Sequence, residues 1–220
     1  MLPRVPAVRL LLLVLLLATR ASAQSAGDAP LLDQIDVELI GRDLVAFGTD
    51  GGDVRERLHL NERVRWRHSR GALGIVLTDE RMLAVGTASA SWQERRWERG
   101  EVPPTQAGLG DRVGLVVTNR RAVGFNGPSS ALVEYRIGPQ EAVQASGVGD
   151  QVAVVVTSRK AIGLSPVVDR FQTQDLGVHE RLERVSAGST LATVRTSRRV
   201  LVFRAGTASW GERRREIHED

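Results

Sequence analysis

Val116 to Phe125 reads VVTNRRAVGF, and Val155 to Leu164 reads VVTSRKAIGL. The second stretch begins thirty-nine residues after the first. Aligning the chain on the threonine extends the series in both directions. Thr78 opens TDERMLAV, Thr118 opens TNRRAVGF, Thr157 opens TSRKAIGL and Thr196 opens TSRRVLVF, at intervals of 40, 39 and 39. A step of 38 back from Thr78 lands on Ile40, which opens a diverged fifth copy, IGRDLVAF.

Each unit reads as short strands. Apolar runs precede the aligned position (IDVELI, LGIVLT, VGLVVT, VAVVVT, LATVRT), and further runs follow a polar turn (LVAF, MLAV, AVGF, AIGL, VLVF). Valine and isoleucine in runs of four to six between turn signals favour strands over helices. Continuous apolarity predicts strands buried on both faces. A further run follows the turn in each unit: VRERL, WQERRW, LVEYRI, FQTQDL and WGERRRE. Another precedes the threonine run at 64–67, 106–108, 143–146 and 184–187, set off by GLGD (108–111) and GVGD (147–150). Small residues recur at two positions, Gly74, Gly114, Ala153, Ala192 and Ala46, Ala84, Gly124, Gly163, as face-to-face sheet packing requires.

Four short strands per unit of about 39 residues is the signature of a propeller blade. The chain resembles the β-propeller superfamily in the general sense of WD-repeat and kelch arrays. The likeness is architectural, with no GH…WD signature and no kelch double glycine. The expectation is an all-β, five-bladed β-propeller with repeats at 26–63, 64–102, 103–142, 143–181 and 182–220. The resemblance implies lectins and hydrolases of sugars or phosphates alike.

Residues 1–23 read as a signal peptide: Arg4 and Arg9, then an apolar core from Leu10 to Ala18, then Ala21-Ser22-Ala23. The core is too short to span a bilayer. Export to the periplasm or cell exterior is the expectation. Without the signal the chain carries 27 basic against 26 acidic residues, which gives a nucleic-acid binder no basic surplus. Zero cysteines remove a disulfide frame and thiolate chemistry.

The turn between the second and third strands of each unit is basic. Arg42, Arg81, Arg120, Arg121, Arg159, Lys160, Arg198 and Arg199 are expected to circle one mouth of a channel, with Trp97 reaching the same end. Such a ring can bind a glycan, another polyanion or a protein through paired arginine hydrogen bonds. The competing expectation is that these charges only solvate the turns. The tryptophans of the outer strand, Trp92 and Trp210, are expected to serve blade packing rather than sugar stacking. Trp66, in the run before the threonine strand, is expected to plug or line the channel.

His59, His68, His179 and His218 show no HxxxH or HExxH spacing, and no calcium-loop or GxSxG motif occurs. No cofactor, metal or catalytic residue is therefore assigned. The expected function is a non-enzymatic, monomeric binding or scaffold module. The alternative is a hydrolase with carboxylates in the channel, for which Asp36 and Glu38 in the first copy are the candidates.

Overall fold

The computed structural model describes residues 33–104 and 107–214. The expected signal peptide lies outside the described residues. Among those residues the fold is all β, with five antiparallel sheets in chain order and no helix.

Sheet 1 holds β1 (Ile35–Ile40), β2 (Asp43–Gly48) and β3 (Asp53–Arg57). Sheet 2 holds β4 (Val64–Arg70), β5 (Leu73–Thr78), β6 (Arg81–Gly86) and β7 (Gln93–Arg96). Sheet 3 holds β8 (Gly108–Leu109), β9 (Val113–Val117), β10 (Arg121–Asn126) and β11 (Ala131–Arg136). Sheet 4 holds β12 (Val143–Val148), β13 (Ala153–Thr157), β14 (Lys160–Leu164) and β15 (Gln172–Asp175). Sheet 5 holds β16 (Leu182–Ala187), β17 (Leu191–Thr196), β18 (Arg199–Arg204) and β19 (Ser209–Arg214). Strands pair with their sequence neighbours throughout, so each sheet is a meander. The units follow the repeat read from the sequence. Sheet 1 departs from the expected four strands: β1 aligns with β5, so it is the position before β1 that has no strand among the described residues.

The two middle strands of the central sheets are buried on both faces, because each sheet is covered by the sheets before and after it. Ile35, Val37 and Leu44 pack on Val76, Leu83 and Trp92. Ile75 and Met82 pack on Val116 and Phe125. Leu115 and Ala122 meet Val155 and Leu164, and Val154 and Val156 meet Val194 and Phe203. Each such side chain contributes about 1.5–3 kcal/mol on leaving water. Four hydrophobic clusters thus make the four successive interfaces. Among the described residues no cluster and no backbone hydrogen bond joins sheet 5 to sheet 1.

The small positions do what the sequence required. A Cβ on Gly114 would lie 2.4 Å from Ile75 Cδ1, and one on Gly163 would lie 2.7 Å from the Phe203 ring. Backbone bonds also cross between the residues just ahead of β1, β5, β9, β13 and β17 in successive sheets. Gln34 N donates to Gly71 O (2.7 Å), Ala72 N to Asp111 O (2.8 Å), Arg112 N to Asp150 O (2.9 Å) and Gln151 N to Ser189 O (2.8 Å). Arg70 reaches both Asp111 (2.8 Å) and Asp150 (2.7 Å). One side chain touching the hairpins of three consecutive sheets means that these edges converge.

The outer tryptophans are packing residues. Trp92 Nε1 donates to Val54 O at 3.1 Å and Trp210 Nε1 to Gln172 O at 2.9 Å, each across to the preceding sheet. Trp66 is half-buried against the cluster between sheets 2 and 3.

Candidate functional site

The basic turns lie at one end of the sheets, and those of the last four sheets are built by the same local chemistry. The threonine hydroxyl accepts from backbone N–H groups two and three residues on: Thr78 from Glu80 (3.1 Å) and Arg81 (2.9 Å), Thr196 from Arg198 (3.3 Å) and Arg199 (3.1 Å). This is the Ser/Thr turn that competes with strand extension and ends it. The next residue brackets the preceding inter-sheet linker. Arg63 N donates to Asp79 Oδ1 at 2.9 Å, Val102 N to Asn119 Oδ1 at 2.9 Å and Arg181 N to Ser197 Oγ at 3.2 Å.

The fourth residue of the turn points inward. Arg81 Nε and Nη2 fork onto Glu62 at 2.9 and 3.1 Å, and Thr78 donates to the same carboxylate at 2.8 Å. Arg121 forks onto Glu101 at 2.9 and 2.8 Å, with Thr118 at 2.7 Å. Arg199 forks onto Glu180 at 2.9 and 3.1 Å, with Thr196 at 2.6 Å. Glutamates of the outer strands close the clasp: Glu94 on Arg81, Glu134 on Arg121 at 2.9 Å and Glu212 on Arg199. Burial alone would raise the carboxyls of Glu62, Glu101 and Glu180, but the arginine, threonine and backbone hydrogen bonds outweigh it. All three are held below the usual carboxylate range.

The fourth sheet varies the scheme. Lys160 lies 3.8 Å from Asp175, and Glu141 takes the Thr157 hydroxyl and, at 3.3 Å, the phenol of Tyr135. Burial, followed by the charge of Glu141, pushes that phenol up to about 12. The first sheet has Ile40 and Asp43 at the threonine and arginine positions.

The residues expected to form one basic mouth therefore divide by their place in the turn. Arg81, Arg121 and Arg199 turn away from solvent into clasps, because their guanidinium donors meet glutamates there. Arg42, Arg120, Arg159 and Arg198, one residue earlier than the clasp position, are exposed at the turn tips. Arg42 donates to Leu58 O at 2.6 Å and Arg159 to Gln140 at 3.0 Å, while Glu80 holds the tip of the second sheet and binds His59 at 2.7 Å. Trp97 reaches this end, but its ring packs on the core and its N–H donates to Thr78 O at 3.0 Å. The sequence reading missed the glutamates of the inter-sheet linkers, Glu62, Glu101, Glu141 and Glu180. Their recurrence 16 or 17 residues before each threonine was the available signal.

His59, Glu62 and Glu80 bring ligand-type atoms within 4.8 Å of one another. Glu62 already accepts from Arg81, Thr78 and His59 N, so a cation there would compete with the clasp. Asp36 accepts from Ser69 Oγ at 3.0 Å and Glu38 from Arg67 at 2.6 Å. The two carboxylates named for a hydrolase are thus each held by a neighbour on β4.

No family model matches the chain, and no curated protein matches it. Solved structures similar to it are β-propeller proteins. One is in the crystal structure of Kap60 bound to yeast RCC1 (Prp20), with 8% identity, TM-score 0.39, covering 76% of this chain and 53% of that one. Another is the N-terminal domain of Nup159, with 8% identity, TM-score 0.35 and coverage of 84% and 62%. A third is Kluyveromyces lactis Hsv2, with 10% identity, TM-score 0.37 and coverage of 86% and 74%. The chain spans 53% and 62% of the first two. Likeness at this level says nothing of activity or partners.

Proposed function

We propose that this chain is an exported, non-enzymatic binding or scaffold module of five propeller blades whose ligand is a polyanion met by the second-to-third-strand turns. One observation carries the reading: a single turn position presents an exposed arginine in four of the five sheets, Arg42, Arg120, Arg159 and Arg198. A threonine–glutamate bond beside it (Thr118 to Glu101, Thr157 to Glu141, Thr196 to Glu180) ties each of the last three turns to its linker, so the charges sit on a braced frame rather than on mobile loops. Arginine suits the task because its planar fork matches carboxylate, sulfate and phosphate groups. Catalysis draws no support from the clasps, whose charges are consumed in pairing.

The test replaces Arg42, Arg120, Arg159 and Arg198 together by glutamine and measures retention on immobilised heparin. Early elution of a variant with unchanged unfolding behaviour supports the reading. Retention equal to that of the parent protein overturns it. Export is tested separately by locating the protein, and its cleaved N-terminus, in fractionated cells.

A further inference from the structure

We propose that the clasp of the fifth sheet is an open anion site, built from Arg198, Arg199 and Arg214, that receives an acidic side chain of a protein partner. The proposal rests on reading this end as an anion-binding surface and narrows it to one cleft and one chemical group.

The argument comes from comparing equivalent clasps. Arg81 meets three carboxylates: Glu62, Glu94 and, at 3.0 Å, Glu56 from the preceding sheet. Arg121 also meets three: Glu101, Glu134 and, at 3.9 Å, Glu98 from the linker after β7. Among the described residues Arg199 meets only Glu180 and Glu212. The residue matching Glu56 ahead of the fifth sheet is Gln174, and the residue matching Glu98 is Gly177. Neither can supply a carboxylate.

The consequence is visible in the donors. An arginine has five N–H groups. On Arg199, Nε and one Nη2 hydrogen go to Glu180, the other Nη2 hydrogen to Asp175 O, and one Nη1 hydrogen to Glu212. Among the described residues the second Nη1 hydrogen is left, and on Arg81 the equivalent nitrogen serves both Glu56 and Glu94. The Arg199 side chain is 17% exposed, against 3% for Arg81 and 5% for Arg121.

Space and charge agree with the vacant donor. A cleft of about 400 Å³ opens over Gly177, Glu180, Arg198, Arg199, Glu212 and Arg214. Three arginines against two glutamates leave it net positive. Among the described residues the side chains of Arg198 and Arg214 have no hydrogen bond or ion pair. The group that fills the matching place in the second sheet is a glutamate on a neighbouring strand, and a partner's glutamate or aspartate supplies the same geometry.

The experiment measures binding of a fluorescent oligo-glutamate peptide to the whole protein by anisotropy, with oligo-glutamine as the control. Arg214→Gln is expected to weaken binding roughly ten-fold, the scale of one charge-assisted hydrogen bond. Gln174→Glu supplies the missing carboxylate from within and is expected to remove binding, whereas Gln174→Ala keeps it. Unaltered peptide affinity in Gln174→Glu, or equal binding of the glutamine peptide, overturns the proposal. So does a result in which only a polyuronate binds and Gln174→Glu displaces it, since that assigns the cleft to glycans. Heparin retention that survives while the Gln174→Glu effect fails sinks this inference alone and leaves the turn-tip reading standing.

Discussion

The hydroxyl of Thr196 donates to the carboxylate of Glu180, sixteen residues upstream, at 2.6 Å. The same pair recurs as Thr78 with Glu62 and Thr118 with Glu101, at 2.8 and 2.7 Å. This relationship ties the linker that enters a sheet to the turn in its middle. It braces the end of each of the last four sheets and separates arginines that hold the fold from arginines that face solvent.

The clasp is tested by Glu62→Gln. Arg81 is nearly fully buried, so removing its forked partner leaves an under-compensated charge in a dry site. Breaking such a pair typically costs about 3–5 kcal/mol. The urea midpoint should fall accordingly. Glu56→Gln, which alters a more exposed partner of the same arginine, should cost much less.

Acid should weaken the protein through these groups. Glu62, Glu101 and Glu180 titrate below their ordinary value of 4.5 in the folded state. The unfolded chain therefore binds protons first as the pH drops. The stabilisation is complete above about pH 4.5 and is lost as the pH falls through the lower folded values. Urea midpoints measured from pH 7 down to pH 3 should hold at first and then decline. A flat profile through that range would show that the three carboxyls contribute nothing.

Sheet spacing is tested at a glycine. A Cβ on Gly163 would stand 2.7 Å from the Phe203 ring, in the interface between sheets 4 and 5. Overpacking of this kind costs about 1–3 kcal/mol. Gly163→Ala should lower the melting temperature. Adding Phe203→Leu, which makes room, should recover part of the loss, and the two effects should not add.

Tyr135 is the single tyrosine of the chain, so its ionisation can be followed directly by absorbance. Burial and then Glu141 push it up to about 12, against an ordinary 10.0. Glu141→Gln should bring the midpoint down, since it removes the nearby negative charge. A midpoint near 10 in the parent protein would refute the contact.

Much of this was legible in the residues. The recurring threonine located four turns, three of them clasped by arginine, because a polar turn between two apolar runs must stop both strands. The small positions such as Gly114 and Gly163 announced close sheet packing. The outer-strand runs that carry Glu94, Glu134 and Glu212 were also visible, but their partner was not. The partner lies on another strand, and linear spacing carries no record of which side chains meet across it. The first sheet shows three strands among the described residues, which begin two residues ahead of β1.

The strand lengths, their order and the turns between them follow from the chain's own alphabet, because alternation and turn chemistry act over a few neighbouring residues. The fate of adjacent arginines does not. Arg120 and Arg121 are the same residue type in one short turn, yet the first faces water and the second is buried against Glu101 and Glu134. What separates them is the direction each Cα–Cβ bond takes once a linker from the neighbouring sheet has brought a carboxylate alongside, and that requires packed sheets in three dimensions.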